Sequence, residues 1–304
     1  MITASEPALS GERSLPSALL RVQRALEPVS ITARLDAQVL LAHLLGQSRG
    51  WLLAHPEATL GDDAWPEFIQ AVRKLEGGMP LPYVLGRWEF YGLELEVTPD
   101  VLIPRPETEL LVETAIAWLK EQASQATSRP LWAADAGTGS GAIAISLARA
   151  IPGLKLVAVD RSRAALGVAQ RNARRHQVEG QVHFYQGDLL QASGGPFDLV
   201  AANLPYIPTG RLAGLPVAAH EPRLALDGGP DGLETIARLL RDLRRLLHPG
   251  GLALLEIEAS QGPAMIRLAR RVLRGATVTV KPDLAGRDRL AAISFSPAPE
   301  KDRA

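Results

Sequence analysis

Apolar residues recur every three or four positions in the first eighty residues of the chain, a spacing that is typical of helices packed on one face. The run from Ile31 to Leu45 predicts one helix, with Ser30 as its N-cap and Gly46 as its end. A second helix is predicted from Ala64 to Leu75. Between Tyr83 and Ile103 the pattern changes to aromatic and alternating apolar residues, which predicts a β-hairpin.

The remainder of the chain alternates between two kinds of segment. A helix is predicted to open at the two prolines of IPRPETELLVETAIAWLKEQ. From Leu131 onward, helices alternate with the apolar runs LWAADAG, LKLVAVD, VHFYQGD, FDLVAAN and LALLEI. With the last two runs, ATVTV and LAAISF, this predicts an α/β fold with a mostly parallel seven-stranded sheet covered on both faces. Since PDLAGRDR is too short for a crossover helix, one of those last two strands should be antiparallel.

The length of 304 residues suggests two domains of unequal size. We expect a helical substrate-recognition domain over residues 1–80, a β-hairpin linker over 81–104 and a larger α/β domain over 105–304. No stretch approaches the roughly 18 apolar residues that a membrane-spanning helix needs. The absence of cysteine excludes disulfides, thiolate metal sites and a cysteine nucleophile, and it fits a reducing compartment. We therefore expect a cytoplasmic protein without membrane contact. We also expect a monomer, although neither observation bears on the number of subunits.

The balance of charge bears on the kind of partner. Formal net charge is zero, and residues 1–80 carry seven basic and nine acidic side chains. Proteins that grip nucleic acid phosphates usually have a basic excess on at least one domain. The helical segment is therefore predicted to dock a protein, and a nucleic acid partner is disfavoured.

A glycine-rich turn, DAGTGSG, follows the first strand of the predicted sheet and opens a helix. Glycines at this place let a ligand approach the backbone at the positive end of the helix. The next strand ends at Asp160, where a carboxylate can bind both hydroxyls of a ribose. The third strand ends at Asp188, which is placed either to contact an adenine edge or to cap the following turn. The GxGxG spacing favours an adenosine with an amino acid tail, as in S-adenosylmethionine, over a dinucleotide.

The fourth strand ends in the motif NLPY, residues Asn203 to Tyr206, at the carboxyl edge of the sheet. A conjugated NH2 group is a poor nucleophile, because its lone pair is spread into the π system. The Asn203 side-chain oxygen and the Leu204 backbone carbonyl can accept its protons, and Tyr206 can stack on the planar group. These motifs predict methylation of a planar amide or amino nitrogen, and no strong base is required. An ordinary Asn-Pro turn is the alternative reading.

Other chemistries have little support in the sequence. The six histidines show no metal-ligand spacing, so no metal site is predicted. No GxSxG elbow and no GxxxxGK[ST] loop occurs, which removes the serine-hydrolase and P-loop readings.

Several segments together resemble the peptide chain release factor glutamine N5-methyltransferase family. They are ARLDAQVLLAHLLG, WEFYGLELEV, LIPRPETELLVE, DAGTGSGAIAISLA, AVDRSRAALGVAQRNA, NLPYIP, EPRLALDGGPDGL and LAGRDR. The resemblance covers about residues 15 to 295, and IPRPETE and the EFYG hairpin are more specific than the shared methyltransferase motifs. It implies a Rossmann-like class I methyltransferase domain over 105–304, with the helical domain contacting the release factor.

The resemblance implies methyl transfer from S-adenosylmethionine to the glutamine side-chain amide in the Gly-Gly-Gln loop of class I release factors, with S-adenosylhomocysteine as the product. The implied catalytic residues are Asn203, Leu204, Pro205 and Tyr206. The implied cofactor site consists of Asp135, Gly137, Thr138, Gly139, Ser140, Gly141, Asp160, Arg161, Asp188, Leu189 and Asn203. The implied glutamine site consists of Asn203, Leu204, Pro205 and Tyr206 with Arg105, Pro106 and Glu107 beside it.

One residue departs from the family pattern, because Leu204 stands where the family usually has proline. A leucine supplies the same backbone carbonyl, so we expect activity to survive. NLPY also occurs in rRNA adenine dimethyltransferases, and the motif by itself leaves an adenine or cytosine amino group in RNA or DNA as an alternative acceptor. That alternative predicts a basic surface beside the pocket. A regulator without turnover is a third reading, and it predicts a pocket blocked by the Leu204 side chain.

Overall fold

The computed structural model describes residues 13–125 and 129–295. The chain forms two compact units, Met1–Gly86 and Arg87–Ala304. The two ends of the predicted domains, residues 1–12 and 296–304, lie outside the described residues, and the domain limits at 80 and 105 remain predictions. Among the described residues, no helix combines the length and the apolar character that crossing a membrane requires.

The first unit is helical, as its apolar spacing predicts. Its five described helices pack around one core, to which Leu15, Val22, Leu40, Phe68 and Val72 contribute buried side chains. The helices are α1 Leu15–Leu26, α2 Ala33–Leu44, α3 Arg49–Ala54, α4 Ala64–Glu76 and α5 Leu81–Leu85.

The predicted start of α2, at Ile31 after an N-cap at Ser30, was wrong by two residues. Its N-cap is Thr32 rather than Ser30, because Ser30 forms the turn before the helix. The Ser30 hydroxyl accepts the backbone N–H of Thr32 at 3.0 Å and donates to the Asp36 carboxylate. A serine that binds nearby backbone in this way stabilises a turn in place of helix. Gly46 follows the helix with a φ of +62°, in agreement with the predicted end.

The predicted hairpin opens the second unit. Strands β1 Arg87–Phe90 and β2 Leu93–Glu96 pair antiparallel through a two-residue turn. Tyr91 and Gly92 in that turn have φ values of 51° and 72°, as a tight hairpin turn requires. A 3₁₀ turn, Pro106–Thr108, then leads into helix α6, Glu109–Ser124.

A seven-stranded sheet forms the centre of the second unit, in the order β5-β4-β3-β6-β7-β9-β8. Strand β9 is antiparallel to both its neighbours and the other pairings are parallel, which confirms the predicted sheet. The strands are β3 Trp132–Ala136, β4 Lys155–Asp160, β5 Val182–Gln186, β6 Phe197–Ala202, β7 Leu247–Glu256, β8 Ala276–Pro282 and β9 Asp288–Phe295.

Helices cover both faces of this sheet and bury two separate clusters of apolar side chains. One face is covered by α6, α7 Ala142–Ala150 and α8 Arg163–Arg175, and the other by α11 Glu234–Leu246 and α12 Gly262–Val272. Two short helices, α9 Thr209–Leu212 and α10 Arg223–Leu226, follow β6. Because β3 is flanked by β4 and β6, the sheet reverses its winding there, which is where such folds hold their ligands.

Candidate active site

A cavity of about 640 Å³ lies in the second unit and is lined by the segments that follow β3, β4, β5 and β6. Of the predicted cofactor residues, it is lined by Gly137, Thr138, Gly139, Ser140, Asp160, Arg161, Asp188, Leu189 and Asn203. Leu204 and Pro205 also line it, whereas Asp135, Gly141, Tyr206, Arg105, Pro106 and Glu107 do not. The carboxyl ends of four parallel strands therefore converge on one site.

The glycine-rich turn has a backbone that few other residues could adopt. Gly137, Gly139 and Gly141 have φ values of 76°, 55° and 85°. A Cβ atom at Gly141 would lie 2.8 Å from the Ile145 side chain and 3.2 Å from Cβ of Ala169. The first two glycines thus bring backbone to the cavity, and the third lets helices α7 and α8 pack closely.

Asp160 lies at the end of β4 with its carboxylate beside the glycine turn. One oxygen accepts the backbone N–H of Gly139 at 2.9 Å, and the other accepts that of Ser162 at 2.8 Å. These bonds hold the carboxylate at the cavity wall. Each carboxylate oxygen has a second lone pair, so the side chain can still accept hydrogen bonds from a diol.

Asp135 lies behind the turn and is fully buried. Its Oδ2 accepts the Thr138 hydroxyl at 2.7 Å and the Ala144 N–H at 3.2 Å, while Oδ1 has no hydrogen-bond partner. Burial raises the pKa of the Asp135 carboxyl to about 7. The side chain therefore stabilises the turn from inside, and its contact with a cofactor remains a prediction.

Asp188 lies at the far side of the cavity, in a turn where Leu189 has a φ of 53°. One Asp188 oxygen forms an ion pair with Arg238 of helix α11, and the other, Oδ1, is buried without a partner. An unpaired buried acceptor costs free energy unless a ligand donates to it. The exocyclic amino group of an adenine is such a donor, so the site fits the predicted adenosine.

Asn203 is held by Thr108, a residue of the IPRPETE segment. Its Nδ2 donates to the Thr108 hydroxyl at 2.9 Å, and that hydroxyl donates to Glu256 at 2.6 Å. Tyr206 donates its hydroxyl to the other oxygen of Glu256 at 3.3 Å. A single buried carboxylate thus connects both ends of the NLPY motif.

The titration behaviour of this cluster follows from its burial. Glu256 is 1% exposed at the end of β7, and burial raises the pKa of its carboxyl to about 7 despite the Thr108 bond and Arg289. Burial also raises the pKa of Tyr206. The Tyr206 hydroxyl is therefore a donor at neutral pH and cannot act as a base.

Leu204 packs against the glycine turn and does not fill the cavity. The side chain is 3% exposed, and its Cδ2 lies 3.1 Å from where a Cβ would stand at Gly137. The cavity keeps its volume of about 640 Å³ with Leu204 in its wall. The blocked pocket that a regulator without turnover predicts is therefore not formed.

The segment Arg105 to Glu107 does not reach the cavity, in contrast to its neighbours Pro104 and Thr108. Arg105 forms an ion pair with the buried Glu221, whose other oxygen accepts the N–H of Ile103 at 3.2 Å. This pair ties the segment to the loop before α10. Any direct contact of Arg105, Pro106 or Glu107 with a substrate remains a prediction.

Sequence reasoning missed three residues of the site, Glu221, Arg238 and Glu256, and gave no role to Thr108, which lies in the segment predicted beside the pocket. A weak signal existed for Glu256, because a carboxylate that ends the apolar run LALLE is unusual in a buried strand. Among the described residues, no group of three or more His, Cys, Asp or Glu is placed to hold a metal ion.

Comparison with known proteins identifies the family. A model of the PrmC N-terminal domain matches residues 17–86, and a model of a methyltransferase domain matches residues 133–280. A release factor glutamine methyltransferase of Moorella thermoacetica is 47% identical over 258 residues, or 84% of this chain and 89% of the relative. The chain belongs to the release factor glutamine methyltransferase family. A Coxiella burnetii member is 38% identical, covering 91% of this chain and 97% of its own length.

Solved structures confirm the fold of this family member. The catalytic domain of hMettl16, solved in complex with a MAT2A 3′UTR hairpin, has a TM-score of 0.51 and 16% identity. The likeness covers 77% of this chain and 82% of that one. At this identity it shows the class I methyltransferase fold and carries no statement about substrate.

Membership in this family, together with the methyltransferase domain, identifies the cofactor as S-adenosylmethionine. The cavity fits that group on its own features: the glycine turn brings backbone to it, Asp160 supplies acceptors for a ribose, and Asp188 has an orphaned oxygen. The prediction of the cofactor is confirmed, and the role of each individual residue remains a prediction.

Proposed function

We propose that this chain methylates the side-chain amide nitrogen, N5, of the glutamine in the Gly-Gly-Gln motif of class I peptide chain release factors, and thereby modulates translation termination. The supporting observation is the fixed amide of Asn203 in the cavity wall. With its NH2 end bonded to Thr108, this amide keeps its oxygen as an acceptor for an N–H of a bound glutamine.

The residues of the motif favour the reaction by orienting a weak nucleophile. Asn203 Oδ1 and the Leu204 carbonyl accept the two amide protons of the glutamine, which directs its nitrogen toward the cofactor site. Positive charge develops on the nitrogen as the bond to carbon forms, and both oxygens stabilise it. The nitrogen then loses one proton to water, so the site needs no strong base.

When bound, S-adenosylmethionine would supply an electrophilic methyl group and would leave as S-adenosylhomocysteine. Around it, Asp160 would hold the ribose hydroxyls, Asp188 the adenine, and Gly137 to Gly139 the chain of the amino acid. Tyr206, whose hydroxyl donates to Glu256, would form one wall of the glutamine pocket.

The charge around the cavity supports a protein acceptor in preference to a nucleic acid. The ionisable residues that line it are the four aspartates Asp100, Asp160, Asp188 and Asp227 and the three arginines Arg161, Arg223 and Arg238. Arg238 is neutralised by Asp188 and Arg223 by Asp227. The cavity lining thus carries no basic excess of the kind that a nucleic acid substrate favours, which supports the protein acceptor. We expect a monomer that meets the release factor in the cytoplasm, without a nucleic acid or membrane partner.

The test offers both classes of acceptor to the purified protein. A class I release factor and bulk RNA are incubated separately with methyl-labelled S-adenosylmethionine, and mass spectrometry locates the label. We expect one methyl group on the Gly-Gly-Gln glutamine and none in RNA. Label in RNA but not in the glutamine peptide would contradict the proposal.

A further inference from the structure

An asparagine amide presents an acceptor at one end and two donors at the other, and the direction it takes decides what it binds. The glutamine NH2 of the proposed substrate can only donate, so Asn203 must turn its oxygen toward it. The reverse orientation would place two NH2 groups face to face. Some feature of the protein must therefore fix which end of the Asn203 amide faces the cavity.

The Thr108 hydroxyl joins Asn203 to Glu256 and carries a single hydrogen. When that hydrogen points to Glu256 Oε2, at 2.6 Å, the hydroxyl has only lone pairs left for Asn203, at 2.9 Å. Nδ2 of Asn203 is then the only end that can bond to it. If Glu256 did not accept, the Thr108 hydrogen could turn to the Asn203 oxygen and favour the unproductive orientation.

We propose that Glu256 is a positioning residue whose carboxylate, acting through Thr108, sets the direction of the Asn203 amide for catalysis. The inference rests on the proposed function, because only a donor substrate requires this orientation. Glu256 also receives the Tyr206 hydroxyl at 3.3 Å, so one side chain aligns both ends of the NLPY motif.

The surroundings of Glu256 suit this role. The side chain is 1% exposed, so water does not compete for its oxygens. Burial and Glu107 favour the protonated carboxyl, and Arg289 of the neighbouring strand β9 favours the ionised one. With a proton on Oε1, Oε2 still accepts the Thr108 hydroxyl. Thr108 is also buried, at 4% exposure, and its hydroxyl bonds to Glu256 and Asn203 among the described residues.

The kinetic test uses variants at two positions of the chain of hydrogen bonds. Thr108→Val keeps the shape of the side chain and removes the hydroxyl, and Thr108→Ser keeps the hydroxyl. We expect Thr108→Val to lower kcat about 10- to 100-fold with the KM for the release factor and the Kd for S-adenosylmethionine within about two-fold of wild type. Thr108→Ser should recover at least ten-fold of that loss, which a general structural defect would not allow.

At the other position, Glu256→Met removes both acceptors, and Glu256→Gln keeps one oxygen. We expect kcat to decrease in the order wild type, Glu256→Gln, Glu256→Met. If Glu256→Met does not fold, Thr108→Val decides the question alone, because it leaves the carboxylate in place. Wild-type kcat in Thr108→Val would overturn the inference.

A second readout needs no acceptor and separates this inference from the proposed function. The sequence contains only two asparagines, Asn172 and Asn203. Protein labelled with ¹⁵N-asparagine therefore gives two side-chain NH2 pairs in an NMR spectrum. Asn172 donates to the backbone oxygens of Glu96 and Ser140, so its pair serves as the internal control.

We expect Thr108→Val and Glu256→Gln to shift the Asn203 pair and speed its hydrogen exchange, while the Asn172 pair stays at its wild-type position. Unchanged Asn203 signals in both variants would overturn the inference even if the release factor is methylated. Failure of the wild-type protein to methylate the release factor would instead overturn the proposed function, and these spectra would still decide whether Glu256 directs the amide.

Discussion

Asn203 donates its side-chain N–H to the hydroxyl of Thr108 at 2.9 Å, across 95 residues of sequence. The bond joins the NLPY motif at the end of β6 to the IPRPETE segment before α6. NLPY is a motif shared by many methyltransferases, whereas IPRPETE is one of the two segments that are most specific to the family. Their contact gives a physical reason for IPRPETE to accompany this chemistry.

The φ angle and contacts of Gly137 predict a specific effect on cofactor binding. In Gly137→Ala, the alanine would have to adopt a φ of 76°, and its Cβ would lie 3.1 Å from the Leu204 side chain. Strain of about 1–3 kcal/mol in the turn should raise the Kd for S-adenosylmethionine about 5- to 150-fold. The measurement is isothermal titration calorimetry.

Gly153→Ala is the matched control for this variant. Its φ is +80°, but no atom lies within 4 Å of the new Cβ. We expect a loss of about 1 kcal/mol in the free energy of unfolding with an unchanged Kd. Equal effects of the two substitutions on Kd would show that the turn does not bind the cofactor.

Asp160 is expected to provide much of the affinity for the ribose. Hydrogen bonds to a charged group contribute about 1.5–3 kcal/mol, so Asp160→Ala should raise the Kd for S-adenosylmethionine roughly 10- to 100-fold. Asp160→Asn keeps one acceptor oxygen and should lose less. A Kd in Asp160→Ala within two-fold of wild type would disprove the assignment.

Leu204, which stands where the family usually has proline, is expected to matter for stability more than for activity. Both Leu204→Pro and Leu204→Ala keep the backbone carbonyl that accepts the glutamine proton. We therefore expect both to retain kcat, while Leu204→Ala loses about 2–5 kcal/mol of stability because the side chain is buried. Steady-state kinetics below the melting temperature, beside thermal unfolding, measure the two effects. A kcat loss in Leu204→Ala as large as that of an Asn203 variant would mean that the side chain itself takes part.

Stability should fall as pH rises from about 5 to 7. The pKa of the carboxyl of both Glu256 and Asp135 is raised by burial to about 7 in the folded protein. In that range the folded state keeps these protons and the unfolded state has lost them, so deprotonation favours unfolding. Each group contributes up to about 1.4 kcal/mol per pH unit.

Glu256→Gln tests how much the Glu256 carboxyl contributes to this dependence of stability on pH. The charged residues facing Glu256 are Arg289 and Glu107, and they remain in the variant. Guanidinium unfolding measured between pH 5 and 7 should therefore give a shallower loss of stability than in wild type, because of these two carboxyls only Asp135 still contributes. Identical slopes would show that Glu256 is already ionised at pH 5.

Much of the fold follows from local patterns in the sequence. The turn at Gly137 to Gly141, the strand end at Asp160 and the antiparallel last strand depend on spacing that a single segment contains. The predicted strand end at Asp188 was wrong by two residues, because β5 ends at Gln186 and Asp188 lies in the turn that follows. Competition between a turn and a helix for the same few residues is harder to predict. Ser30 has the side chain of an N-cap, yet its bonds to Thr32 and Asp36 start the helix two residues later.

The positioning part of the site could not be predicted in this way. Thr108 and Glu256 are 148 residues apart and meet only because α6 and β7 pack together. Asp135 shows that a motif can also indicate too many ligand contacts. Its place in the glycine-rich motif indicates a contact with the cofactor, but the structure buries it behind the turn. Sequence motifs locate the residues that face a ligand. The residues that hold those side chains in place are brought together only by tertiary packing.

The most direct test of the central claim compares wild type with Asn203→Ala on the same release factor. Tandem mass spectrometry locates the methyl group, and calorimetry measures the Kd for S-adenosylmethionine. We expect wild type to methylate the Gly-Gly-Gln glutamine on its side-chain nitrogen, and Asn203→Ala to lose about 10²- to 10³-fold in kcat with little change in Kd. Methylation of that glutamine by Asn203→Ala at near the wild-type rate would contradict the account.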